Sequence, residues 1–112
     1  DITKKISKEL NNTNFEKINK KNYILKITSD KKTRVTSKDV SGDNLTFELN
    51  INVKIEVFYN NIDVSIQTFE IEKNFNYNNQ RNKFDLTQYK KTIEENLISR
   101  ISQDIITKLQ LL

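Results

Sequence analysis

Residues 85–112 carry an apolar stripe at helical spacing, and two long alternating runs precede them. The stripe is Leu86, Tyr89, Ile93, Leu97, Ile101, Ile105, Leu109 and Leu112, with Lys90, Lys91, Glu94, Arg100 and Lys108 placed off it. Steps of three and four hold such positions on one side of an α-helix, so the segment predicts one long amphipathic helix. Asp85 followed by Gln88 has the form of a capping box and sets the expected start there. A one-sided helix of about 26 residues, about 39 Å long, has to lie on an apolar surface of matching length.

That surface is legible upstream. Leu45, Phe47, Leu49, Ile51, Val53, Ile55 and Val57 alternate with Thr46, Glu48, Asn50, Asn52, Lys54 and Glu56. The run predicts a strand about 43 Å long with one buried and one wet face. Asn60 and Asn61 tolerate left-handed backbone and predict a tight turn into an antiparallel third strand. There Ile62, Val64 and Ile66 hold one parity and Phe69, Ile71, Phe75 and Tyr77 the other. A β-bulge near Gln67 and Thr68 would reconcile them, because one extra residue reverses the alternation. Tyr23, Leu25 and Ile27 mark a first strand that resumes at Arg34 and Val35 after the polar residues 29–33. Ser41, Gly42, Asp43 and Asn44 form a turn, with the single glycine available for a positive φ. Ile2, Ile6 and Leu10 give a short amphipathic helix that the Asn-rich residues 11–14 end.

The expected architecture is α+β: a two-layer sandwich with two helices packed on one face of a mostly antiparallel sheet. Its core would bury the seven odd-numbered residues of the second strand against Ile93, Leu97, Ile101 and Ile105. With 112 residues and no interior linker or repeat, residues 1–112 are expected to form a single domain.

The sequence contains no His and no Cys, which removes the usual zinc ligands, the cysteine nucleophile and the commonest general base. Glu94 with Glu95, and Glu70 with Glu72, are expected as solvated carboxylates on a helix surface and a strand face. No phosphate-binding glycine loop or nucleophile elbow accompanies them. The expectation is a protein that is not an enzyme and holds no cofactor or metal. No segment approaches the roughly 20 apolar residues of a membrane-spanning helix. The chain starts at Asp1 without Met, so a processed product is expected, from which any targeting segment has been cut away.

The formal charge of +4 is uneven. Residues 1–38 hold 11 basic and 4 acidic side chains, or +7, and residues 39–112 hold 8 and 11, or −3. A regional excess of this kind suits a polyanionic partner such as nucleic acid, anionic lipid or phosphorylated glycolipid. An A/T-rich coding sequence accounts for abundant Lys, Asn and Ile without any partner. Within the basic region Lys31, Lys32 and Arg34 cluster near a predicted strand end, where they could meet phosphate oxygens. Phe47, Phe69, Phe75 and Tyr89 fit core positions, and Tyr59, Tyr77 and Phe84 fall near element ends, so no stacking platform is apparent. A small polyanion-binding module for nucleic acid remains the alternative to a lipid-directed function.

The order helix, three strands, long helix resembles the LPS-assembly lipoprotein family LptE. Tyr23, Ile24 and Leu25 look like the Tyr-x-Leu opening of that family's strand. Asp30, Lys31, Lys32, Thr33 and Arg34 look like its Asp-x-x-Thr-Arg segment, and Phe75, Asn76, Tyr77 and Asn78 like its aromatic and Tyr-Asn signature. Phe84, Tyr89, Glu94, Arg100 and residues 105–109 follow in the pattern of its final helix. The resemblance covers residues 20–112. The family's lipidated cysteine and initial strand do not appear after Asp1 and are expected upstream; its Ala-rich final helix is absent too. The resemblance implies a lipid-anchored protein on the periplasmic side of the outer membrane. It would be a plug and partner of the β-barrel translocon LptD that binds lipopolysaccharide, with Lys31, Lys32 and Arg34 facing its phosphates.

Overall fold

The computed structural model describes residues 1–12, 23–59 and 64–111. The elements are α1 (Ile2–Asn12), β1 (Tyr23–Lys38), β2 (Asn44–Tyr59), β3 (Gln67–Asn78) and α2 (Lys83–Gln110). β1 and β3 both pair antiparallel with β2, which is the central strand. Both helices pack on one face of this sheet, as the periodicities predict. The molecule measures 58 × 24 × 21 Å.

The core is the inner row of β2 under α2. Ile51, Val53, Ile55 and Val57 have no exposed surface, and Leu49 is buried beside them. Their β-branched side chains suit a pleated surface, and alternation turns all five to the same side. Cross-strand register extends the row: Ile27 with Ile55 and Phe69, Ser29 with Val53 and Ile71, Lys31 with Ile51 and Lys73. α1 seats Ile2, Ile6 and Leu10 in the same cluster. Asp1 caps it, its Oδ1 accepting from the amides of Thr3 at 2.7 Å and Lys4 at 3.3 Å.

The β1–β2 connection turns as the glycine predicts. Gly42 has φ 87°, and Asp39 Oδ1 accepts from the amides of Ser41 and Asp43, both at 2.9 Å. β1 is one continuous strand where two pieces were expected, because residues 29–33 keep their register with β2 despite being polar. Its two register shifts lie later, between Val35 and Ser37 and between Ser37 and Lys38.

Several expectations are corrected. α2 begins one turn before Asp85 because Asn82 is the N-cap: its Oδ1 accepts from Phe84 N at 2.8 Å and Asp85 N at 3.4 Å. Asp85 instead lies in the first turn, where its charge complements the helix dipole. The buried face of α2 is wider than one stripe, since Ile98, Ser102 and Ile106 form a second row. Ser102 Oγ donates back to the carbonyl of Ile98 at 2.8 Å, which satisfies it in place. Leu45 is 47% exposed, and Phe75 and Tyr89 are exposed too, whereas Tyr77 is buried against Phe47.

The tight turn expected at Asn60 and Asn61, the position of Ile62, and Leu112 lie outside the described residues. β3 is regular from Gln67 onward, so there is no bulge at Gln67 and Thr68. The irregularity falls just before: Ile66 N donates to Val57 O at 2.8 Å although the register partner of Val57 is Gln67. Val64 and Ile66 precede the strand and are exposed.

Ile55→Ala should lower the free energy of unfolding by about 2–5 kcal/mol, because it opens a cavity with no exposed surface. Leu45→Ala should change it by about 0.5 kcal/mol or less. Urea denaturation of the two variants checks the boundary of the core. Asn82→Ala should cost about 1 kcal/mol in the same assay, while Gln88→Ala leaves the helix start unaffected.

Candidate anion-binding face

The three basic residues singled out by sequence lie together on β1, but alternation divides them between the two faces of the sheet. Lys31 sits on the helix side, opposite Ile51. Lys32 and Arg34 lie on the open face, opposite Asn50 and Glu48. Their partners confirm the division, since Lys31 bonds to a helix residue and Arg34 to its neighbour on β2.

On the open face Arg34 Nε donates to Glu48 Oε1 at 3.0 Å. The guanidinium has four further N–H donors on its two Nη atoms. Lys32 lies 3.6 Å from Asp30 Oδ2 and is 78% exposed. Behind them the register continues from Lys32 to Asn50 and Asn74, and from Arg34 to Glu48 and Asn76. Asn50 Nδ2 donates to Glu72 Oε1 at 2.7 Å. This surface offers an ammonium, a guanidinium and several amides within one patch, which is the donor set that phosphate oxygens and hydroxyls accept from.

The helix side holds a second arrangement that sequence reading missed. Glu94 of α2 accepts from Lys5 Nζ at 3.0 Å and pairs with Lys31 Nζ at 3.5 Å, so one carboxylate ties α2 to α1 and to β1. Burial by itself would raise the Glu94 carboxyl, but the Lys5 hydrogen bond and the charges of Lys31 and Lys5 outweigh it and lower the pKa. Glu94 is therefore an ion-pair hub rather than a solvated helix carboxylate. Across the sheet Lys73 Nζ meets Asp104 Oδ2 at 2.9 Å. The available signal was parity: Lys31 continues the inward positions Leu25, Ile27 and Ser29, and Glu94 adjoins Ile93 on the stripe.

Among the described residues Glu70 is exposed, opposite Lys54 in the register, and Glu72 accepts from Asn50. Among the described residues no group of carboxylates, His or Cys could hold a metal ion. No described helix is long and apolar enough to cross a membrane. The open face presents the N–H donors of Lys32, Arg34 and Asn50 beside the carboxylates of Asp30, Glu48 and Glu72; among the described residues it presents no nucleophile paired with a base.

No protein-family model and no curated relative matches the chain. Solved structures do. The chain is similar to rare lipoprotein B from Shewanella oneidensis, with a TM-score of 0.72 at 15% identity over 97% of this chain and 84% of that one. A lipoprotein from Caulobacter crescentus CB15 matches with a TM-score of 0.67 at 11% identity, covering 98% of this chain and 78% of the other. Lipoprotein B from Nitrosomonas europaea matches with a TM-score of 0.63 at 17% identity, covering 90% and 72%. At these identities the likeness establishes a shared fold, and the proteins that share it are lipoproteins.

The folded Glu94 carboxyl titrates below its ordinary value of 4.5, so its stabilising pairs are complete above that pH and are lost as pH falls through the lower folded value. Glu94→Gln should melt at a lower temperature than the wild type at neutral pH. The difference between the two should shrink as pH falls below about 4.5. Thermal melts across the acid range check this, and a difference that stays constant would exclude Glu94 as the titrating hub.

Proposed function

We propose that this chain is a non-catalytic lipopolysaccharide-assembly component of the outer membrane, a plug and partner of the LptD β-barrel translocon that binds lipopolysaccharide. The observation that carries the reading is the match to rare lipoprotein B along 97% of the chain. The motif resemblance to the LptE family points the same way. The dimensions support it: a body 24 × 21 Å across and 58 Å long can lie along the axis of a wide barrel. Its open sheet face is polar, which suits the polar lumen of such a barrel.

In this reading an upstream lipidated cysteine anchors the protein at the periplasmic side of the outer membrane. Lys32 and Arg34 take the phosphates of the glycolipid on the open face, Arg34 through its Nη hydrogens as a bidentate pair and Lys32 as a point charge. Lys31 contributes from the helix side, where Glu94 already holds it. The neighbouring asparagines offer hydrogen bonds to sugar hydroxyls. No reacting group is required, because such a partner works by binding and by occupying space.

Replacing Lys31, Lys32 and Arg34 together by Ser should leave the chain folded with a modestly lower melting temperature, since such ion pairs contribute about 0–1 kcal/mol each. Lipopolysaccharide binding should fall severalfold and weaken with salt, because exposed charges are screened over about 8 Å at physiological ionic strength. Lys31→Ser alone should alter binding least. The assay is titration of lipopolysaccharide against wild type and variants, together with co-purification of the LptD barrel from the same organism. A folded chain that binds neither the glycolipid nor the barrel would overturn the proposal.

A further inference from the structure

Among the described residues nothing pairs with the outer edge of β3, and the chemistry of that edge is specific. Asn79 N donates to Leu45 O at 2.8 Å, in register with the β2–β3 ladder. In an antiparallel pair such bonds recur at every second residue. Odd-numbered residues of β3 therefore direct their backbone groups to β2, and Thr68, Glu70, Glu72, Asn74, Asn76 and Asn78 direct theirs outward. All six are exposed, and none of the described residues pairs with that edge.

Sheet edges are ordinarily blunted by lysines, prolines or bulges, because an open row of N–H and C=O groups accepts another strand. β1 is blunted in this way. It carries Lys26, Lys31, Lys32, Arg34 and Lys38, and its register shifts between Val35 and Lys38. β3 has neither device: its 12 residues contain no proline, and its pairing has no shift. Its one lysine, Lys73, is tied to Asp104 of α2.

We infer that the outer edge of β3 accepts an extended segment of a partner protein as a fourth strand, one in which basic residues alternate with apolar ones. Basic side chains of that segment fall beside Glu70 and Glu72 on the open face. Apolar ones fall on the helix side beside Phe69 and beside Phe75, which is 40% exposed. A second copy of β3 offers these carboxylates asparagines instead of cations, because antiparallel self-pairing along the whole strand sets Glu70 opposite Asn76 and Glu72 opposite Asn74. The inference is independent of lipopolysaccharide binding.

The probe is a short synthetic peptide of alternating Lys and Val, labelled for fluorescence anisotropy, with a Glu and Val peptide as its counterpart. The wild-type chain should prefer the basic peptide. Asn74→Pro removes an outward N–H and leaves the β2 ladder whole, a placement edge strands tolerate. It should keep the melting curve and weaken the peptide about tenfold, the value of one backbone hydrogen bond at a binding edge. Glu70→Lys with Glu72→Lys should reverse the preference toward the acidic peptide. Unchanged affinity in a folded Asn74→Pro variant overturns the inference, as does self-association of the wild type that this variant abolishes, since a second copy would then take the edge. Should Asn74→Pro fail to fold, the charge-reversed pair decides: an unreversed preference overturns the inference.

Discussion

The inner row of β2 packs against the apolar face of α2, and the other elements depend on that contact because each touches β2, α2 or both. β1 and β3 take their hydrogen bonds from β2 and from no other described strand. α1 reaches the core by lying beside α2 and over the start of β1. Removing apolar surface from water supplies about 1.5–3 kcal/mol for each large side chain fully buried. Ile51, Ile55, Ile101 and Ile105, all without exposed surface, are therefore the residues whose loss should be felt through both ladders and both helices.

Length then determines what stays uncovered. A helix of 28 residues spans about 42 Å, whereas a strand of 16 residues reaches about 53 Å. The sheet is therefore longer than its cover, and Val35 and Leu45, near the β1–β2 turn, are exposed although their parity is inward. Two ion pairs hold α2 across the strands. Glu94 and Asp104 are about 15 Å apart along the helix axis, and they meet Lys31 and Lys73, which flank Ile51 in a single cross-strand row. Two lysines at one level of the sheet thus reach points well separated on the helix, while Tyr89 meets Tyr77 and Lys108 lies over Phe69, both on β3.

Element identity was legible because period-2 and period-3.6 patterns need only the apolar residues, and these are undiluted in β2, α1 and α2. The inward face of β2 could be read residue by residue, except at Leu45, which is exposed although its parity is inward. The cap was misplaced because Asp85 with Gln88 matches a capping box as well as Asn82 matches a simple cap. Local chemistry permits both, and the structure uses the earlier one. The candidate site was legible only as a cluster in one dimension. Sequence placed Lys31, Lys32 and Arg34 side by side, but a strand sends consecutive residues to opposite faces. The hub at Glu94 joins residues 5, 31 and 94, a coincidence that only tertiary packing creates.

The regional charge also changes meaning once the chain is folded. The first 38 residues carry the positive excess and the remainder a negative one, which in sequence reads as a basic arm awaiting a polyanion. In the structure the two regions answer each other: Lys5 and Lys31 meet Glu94, and Arg34 meets Glu48. Part of the excess is thereby matched inside the molecule, and the long-range attraction that a nucleic-acid module would rely on is reduced. What remains is local. Lys32 pairs only loosely with an exposed neighbour, and Arg34 gives Glu48 a single donor while its Nη atoms carry four more. In the proposed function a surface of that kind would distinguish ligands by the geometry of a few phosphate oxygens and not by total charge, as a phosphorylated headgroup requires and an extended polyanion does not.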